Sequence, residues 1–215
     1  MADDLKYGYK GAEPTQSFGN NTGVFDPADI NNLIADNKWT SFGQLELIET
    51  QTVTSAVAGV DFTNLGDYNV HFLTVHSFSS ATDYGAVSLR VSTDGGSSFK
   101  TTGYQYAMQY ANVGGFGELK STNYPSMTNL APPNSGASPY ASNCYIYLYN
   151  LLDSSKYSFA TSHSSAYIQI ATEFECYMTS AVYPVAETHN AIRIYPQNAS
   201  NVDNGTISLY GIRYS

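Results

Sequence analysis

The sequence predicts an all-β protein: an antiparallel β-sandwich, jelly-roll-like, preceded by an N-terminal extended arm and one short helix. Three observations lead there. Only 13% of the 215 residues are charged, against roughly 25% in an ordinary domain. Tyr occurs 19 times; Tyr and Thr favour a pleated, half-buried surface, while the abundant Ser, Asn and Gly favour turns. Finally, stretches with a period of two follow one another with turn residues, not helices, between them, the pattern of a sandwich.

Taken in order, residues 1 to about 25 are polar and Gly-rich without a sustained period, and read as an extended arm. "FDPADINNLIADNKW" follows. Asp26 suits an N-cap, Pro27 the first helical position, and Asp29 the positive helix start. Ile30, Leu33 and Ile34 recur at helical spacing, so a short amphipathic helix runs to about Asp36, with Phe25 before it and Trp39, the sole tryptophan, after it. The arm and helix form one unit, residues 1–40, and the sandwich a second, residues 41–215.

Strands are predicted near 45–54, 68–78, 86–92, 98–111, 143–152, 156–162, 165–179, 190–196 and 205–214. Val87, Leu89 and Val91 alternate with Ser88, Arg90 and Ser92, and Asp94-Gly95-Gly96 offers the positive-φ residues of a hairpin. Tyr104, Tyr106, Met108 and Tyr110 then share a face. Residues 112–141, rich in Gly, Ser, Asn and Pro, read as one long loop, functional or mobile. In "NCYIYLYNLL", Cys144, Ile146, Leu148 and Leu152 make an aliphatic face, and Tyr145, Tyr147 and Tyr149 an aromatic one. A strand apolar on both faces is covered on both, by another layer or by a neighbouring subunit.

From Ala166 to Met178 the alternation places Ala166, Ile168, Ile170, Phe174, Cys176 and Met178 inward, and Tyr167, Gln169, Glu173, Glu175 and Tyr177 toward solvent. In "NGTISLYGIRYS" the alternation breaks. A bulge at Gly211 would let Ile207, Leu209, Ile212 and Tyr214 face one core.

Composition also excludes functions. The net charge is -9 with nine scattered Lys and Arg, so no basic patch serves nucleic acid or an anionic membrane. There is no apolar run near 18 residues and no secretory signal, which predicts folding in a cytosol. Cys144 and Cys176 are too few for a disulfide scaffold and read as reduced core thiols, with a bridge as the alternative.

Among the histidines, His71 and His76 point to opposite faces of one strand, and His163 reads as a turn-edge residue. Glu173 and Glu175 have a spacing that a glycosidase permits, but they lie on the solvent parity. No zinc spacing, calcium loop or phosphate loop occurs. The expectation is a non-enzymatic protein without a cofactor or a catalytic or metal site.

Recognition is the better reading. Tyr104, Tyr106, Tyr110, Phe116, Tyr124 and Tyr140, set among Ser, Gly and Asn, resemble paratope chemistry. Together with Tyr145, Tyr147 and Tyr149 they are candidates for a subunit interface or a receptor contact; filling the core is the alternative.

Three segments, "TGVFDPADINNLIADNKW", "SLRVSTDGGSSFKTTGYQYAMQY" and "NGTISLYGIRYS", resemble virion structural proteins of tailed bacteriophages, of the kind common in cyanophages and other marine phages. The resemblance implies a jelly-roll module of a capsid decoration, head-fibre, tail-fibre or baseplate protein, assembled in the host cytoplasm and displayed on the particle surface. It implies a homo-oligomer, with a trimer favoured, whose partners are capsid, portal, tail or fibre components. Phe25, Asp26, Ile30, Leu33, Ile34 and Trp39 would anchor it. A receptor- or carbohydrate-binding module, using residues 104–141 on a host surface glycan, is the second expectation.

Overall fold

A computed structural model describes residues 27–35, 45–82, 85–134, 139–169 and 171–213. The chain divides into two units, Met1–Gly43 and Gln44–Ser215. In the first, α1 spans Pro27–Ala35 with Asp29 in its first turn. Ile30 and Leu33 are half-buried and Ile34 is exposed. The arm, Phe25, the cap Asp26, and Trp39 lie outside the described residues.

The second unit contains twelve strands: β1 (Leu45–Val53), β2 (Val60–Phe62), β3 (Val70–Ser80), β4 (Val87–Ser92), β5 (Tyr104–Asn112), β6 (Gly115–Tyr124), β7 (Met127–Ala131), β8 (Ser142–Tyr149), β9 (Ser158–Ile168), β10 (Glu173–Tyr183), β11 (Ala191–Pro196) and β12 (Val202–Ile212). They form two antiparallel sheets. The large one has the order β1-β12-β3-β8-β9-β10-β5-β6, the small one β2-β11-β4-β7.

Setting aside the hairpins β5–β6 and β9–β10, the remaining strands pair first with last, second with next-to-last, and so on inward: β1 with β12, β2 with β11, β3 with β8, β4 with β7. That is a jelly roll. Both extra hairpins join the same sheet, doubling its width. Between the sheets lie Phe62, Leu73, Phe78, Leu89, Leu130, Ile146, Leu148, Ile192 and Ile194, all fully buried.

Four expectations about elements are corrected. Residues 112–141 are not a loop: they contain β6 and β7. β7 is buried on both faces and so shows no alternation, while β6 is an edge strand with glycines and charges. The Asp94-Gly95-Gly96 turn has the expected positive φ at Gly95 (72°) and Gly96 (89°). It is not a hairpin, because it leads from β4 in the small sheet to β5 in the large one.

The run 166–178 is two strands. β9 ends at Ile168, and β10 starts at Glu173, just after Thr172, whose φ is 51°. The four-residue connection flips the parity: even-numbered residues of β9 face inward, whereas Glu175, Tyr177, Thr179, Ala181 and Tyr183 do so in β10. Phe174, Cys176 and Met178 therefore face outward.

Finally, β12 pairs regularly with β3 through Gly211, from Thr206↔His76 to Ile212↔Val70. The slips lie in β1, between Leu47 and Glu49, and near the start of β12, before Thr206. Ile207 and Leu209 face the core, whereas Ile212 shares the opposite face with Tyr210; Tyr214 lies outside the described residues. Gly211 serves a close approach: a Cβ there would stand 2.3 Å from the Tyr68 ring.

Candidate functional site

Antiparallel register carries one face continuously across strands, because directly paired residues point the same way. On the outer face of the large sheet one row reads Leu47, Tyr210, Phe72, Tyr147, Thr161, Ser180, Ala107 from β1 to β5. The next reads Thr50, Ser208, Thr74, Tyr145, His163, Met178, Gln109. Further along, Tyr149 pairs with Phe159, and Tyr167 with Phe174.

Across these seven strands the regularly paired outer positions include no Asp, Glu, Lys or Arg, and Asp203 lies where the β12 register shifts. The first charges come at the edge strand β6, where Lys120 and Glu118 pair with each other at 2.7 Å. Glu46, Glu173 and Glu175 all take the other face. Glu46 holds Arg213 at 2.6 Å and accepts a 2.6 Å hydrogen bond from the Tyr68 hydroxyl.

Aromatic rings dominate one half of the outer face. Phe72 lies 4.9 Å from Tyr147 and 6.2 Å from Tyr210 between ring centroids, and Tyr147 lies 6.2 Å from Tyr145 and 6.4 Å from Tyr149. Some of the face's polar atoms find partners on it or beside it. The Thr50 and Ser208 hydroxyls are 2.8 Å apart, the Tyr145 hydroxyl sits 3.2 Å from His163 Nδ1, and the Tyr167 hydroxyl donates to the Thr172 carbonyl at 2.7 Å. A shallow groove of about 690 Å³ runs between Phe72, His76, Tyr145, His163, Phe174 and Cys176. His163, expected at a turn edge, is thus mid-strand in β9 on this face.

The tyrosines expected between 104 and 140 do not gather into one surface. Tyr104 is not a contact residue but a core residue. Its hydroxyl accepts from the Val91 N–H (3.0 Å) and donates to the Lys100 carbonyl (3.2 Å), and burial pushes its pKa far up. Tyr106 and Tyr124 meet edge-on at 5.3 Å and pack against the core. Tyr110 faces inward beside Tyr177, and Tyr140 stacks near Tyr167 at 6.1 Å. Phe116 stands 91% exposed on the β5–β6 hairpin. Tyr145, Tyr147 and Tyr149 do act together, with Phe72 and Tyr210 beside them. Those two could not be joined to them from sequence, because the link is long-range pairing.

Glu173 and Glu175 also move. They lie on the inner parity, Glu175 buried, and Asn112 Nδ2 donates to Glu173 Oε1 at 3.2 Å and approaches Glu175 Oε1 at 3.5 Å. Burial and the neighbouring Glu175 push the Tyr177 phenol up.

A Ser–His–Glu grouping escaped the sequence reading because its members are scattered. Ser158 Oγ is 2.8 Å from His189 Nδ1, and His189 Nε2 is 3.4 Å from Glu187, which Lys100 holds at 3.0 Å. Ser158 and His189 have no exposed surface, so no substrate reaches the hydroxyl; burial holds His189 below its ordinary 6.5. The grouping ties β9 to the β10–β11 connection.

Both cysteines are free. Cys144 is buried, its thiol pushed far up, while Cys176 is half-buried on the outer face, not inside as expected. Among the described residues no group of three or more His, Cys, Asp or Glu could hold a metal ion, and no helix is long and apolar enough to cross a membrane. No protein-family model, no curated protein and no solved structure matches the chain.

Proposed function

We propose that this protein is a non-enzymatic structural component of a bacteriophage particle: a jelly-roll module that decorates or cements the particle surface, as a capsid decoration or fibre protein, and acts through protein–protein contact. The observation that carries the reading is the uncharged outer face of the large sheet, seven strands wide, with Tyr145 and Met178 43% and 50% exposed. Exposed large side chains such as its Tyr145, Phe159, Tyr167, Phe174 and Met178 mark contact with other molecules. The resemblance of three sequence segments to tailed-phage virion proteins supplies the setting. The Pro27–Ala35 helix with its preceding arm supplies the anchor to capsid, portal, tail or fibre components.

Mass spectrometry of gradient-purified particles tests the proposal. The full chain is expected in the particles, and a chain lacking residues 1–40 is expected to stay out of them as a soluble β domain. Full incorporation of the truncated chain overturns the anchor; absence of the full chain from particles overturns the structural role.

A second reading, a host-glycan contact on a tail fibre or baseplate, draws support from the groove at Tyr145, His163 and Phe174, where rings and hydrogen-bonding groups meet without charge. A glycan array separates the two: binding that Tyr145→Ala abolishes favours the second.

A further inference from the structure

We infer that the outer face of the large sheet pairs with itself, so that two copies of this chain pack face to face about a two-fold axis running along the β8–β9 seam. This rests on the reading that the protein acts by protein contact, and names the partner.

The first argument is shape. The row Leu47, Tyr210, Phe72, Tyr147 is bulky, and its continuation Thr161, Ser180, Ala107 is small. The change falls at the seam between β8 and β9. In the next row the order is reversed, Thr50, Ser208 and Thr74 being small and His163, Met178 and Gln109 large. A two-fold axis lying along the seam, between two opposed faces, brings each row over its own copy end for end, so the large end of a row meets the small end of the same row, as an isologous contact requires. Stacked sheets of this kind sit about 10 Å apart with interleaved side chains.

The second is charge. Each copy carries a net charge of -9, so two copies repel through most of their surfaces. The outer face is where they can meet without opposing fixed charges or stripping water from an ion. The nearest ion pair, Glu118 with Lys120, lies at the rim and neutralises itself. Toward the β1 end of the face, four hydroxyls are already paired within the sheet, at Thr50–Ser208 and Thr52–Thr206, so covering them strands no polar group there.

The third is area. Seven strands at about 4.8 Å spacing, with outer residues about 7 Å apart along each strand, cover roughly 600–800 Å², close to the roughly 800 Å² that each partner of a stable interface buries. That extent far exceeds what one short glycan would cover.

Sedimentation velocity on the full chain, over a dilution series, tests the inference. The expected species has twice the mass of one chain. Thr161→Lys places two like charges near the axis and should weaken pairing at least about 100-fold, with an unchanged circular dichroism spectrum. Ser97→Lys, on the exposed β4–β5 connection, should leave pairing intact. Because no ion pair crosses the contact and the copies repel overall, added salt should tighten the pair; weakening by salt would overturn the charge argument.

A chain that stays single at every concentration, a three-chain mass, or a pair that survives Thr161→Lys would each overturn the inference. Should Thr161→Lys unfold the chain, Tyr147→Ala reads the same contact by the same criteria. Particle incorporation separates this from the broader proposal. A single-chain species that enters particles overturns the pairing alone, and a pair absent from particles overturns the structural role alone.

Discussion

The outer faces of the two sheets are built on opposite plans. On the small sheet, the charged outer positions are tied down within the chain. Arg193 forks onto Asp61 with both N···O distances 2.6 Å, and its guanidinium lies over Phe99 at 4.4 Å. Arg90 Nε donates to the Pro125 carbonyl at 2.9 Å and stacks over Tyr195 at 4.6 Å. Ser88 and Thr128, both fully buried, share a hydroxyl–hydroxyl bond of 2.8 Å. On the large sheet the outer positions are rings, aliphatics and small residues without fixed charge. Charges belong outward in a chain that completes its burial alone. Here the small sheet ties its charged groups down and the large sheet leaves aromatic surface open, so a surface laid on the large sheet would have more exposed ring area to cover.

Adjacent residues on β8 break or sharpen this contrast most strongly. Leu148 is fully buried between the sheets, and Tyr147 is its half-buried neighbour on the outer face. Leu148→Ala should cost about 2–5 kcal/mol in urea unfolding, whereas Tyr147→Ala in dilute solution should cost about 1 kcal/mol, because its ring meets solvent on one side. Equal costs would erase the distinction between a finished and an unfinished face.

A smaller effect is expected on the small sheet. A double-mutant cycle on Asp61→Asn and Arg193→Met should return a coupling of about 0.5–1 kcal/mol, since roughly a third of each side chain meets solvent and screening trims the bidentate pair. A coupling of zero would remove the claim that this face is internally secured.

The smallest effect belongs to the rim. Glu118 and Lys120 are 66% and 72% exposed, so Lys120→Ala should leave the unfolding midpoint where it was. A marked loss would show that β6 contributes to folding as the interior strands do.

Much of the fold was legible because period two is local. The faces of β4 and β5 and the two-sided character of β8 follow from alternation alone. β6 and β7 were not legible. An edge strand with glycines carries no burial pattern, and a strand covered on both sides has no polar parity. In β9–β10 each strand's alternation was visible, but the parity flip was not, since the turn at 169–172 decides it. That flip moved Glu175 and Tyr177 inside and Phe174, Cys176 and Met178 outside. Of the candidate site, the ladder Tyr145, Tyr147, Tyr149 was visible as an aromatic parity, and its neighbours Phe72 and Tyr210 were not.

By itself, then, the sequence determined an all-β chain, its helix at Pro27, most of its strands and which residues share a side of each strand. Those properties come from neighbours two to four residues apart. Only the tertiary structure decided which side faces the core, that two extra hairpins widen one sheet and not the other, and that uncharged positions of seven strands merge into one face. Those depend on pairings such as β1 with β12, more than 150 residues apart at Glu46↔Gly211, where no local period reaches.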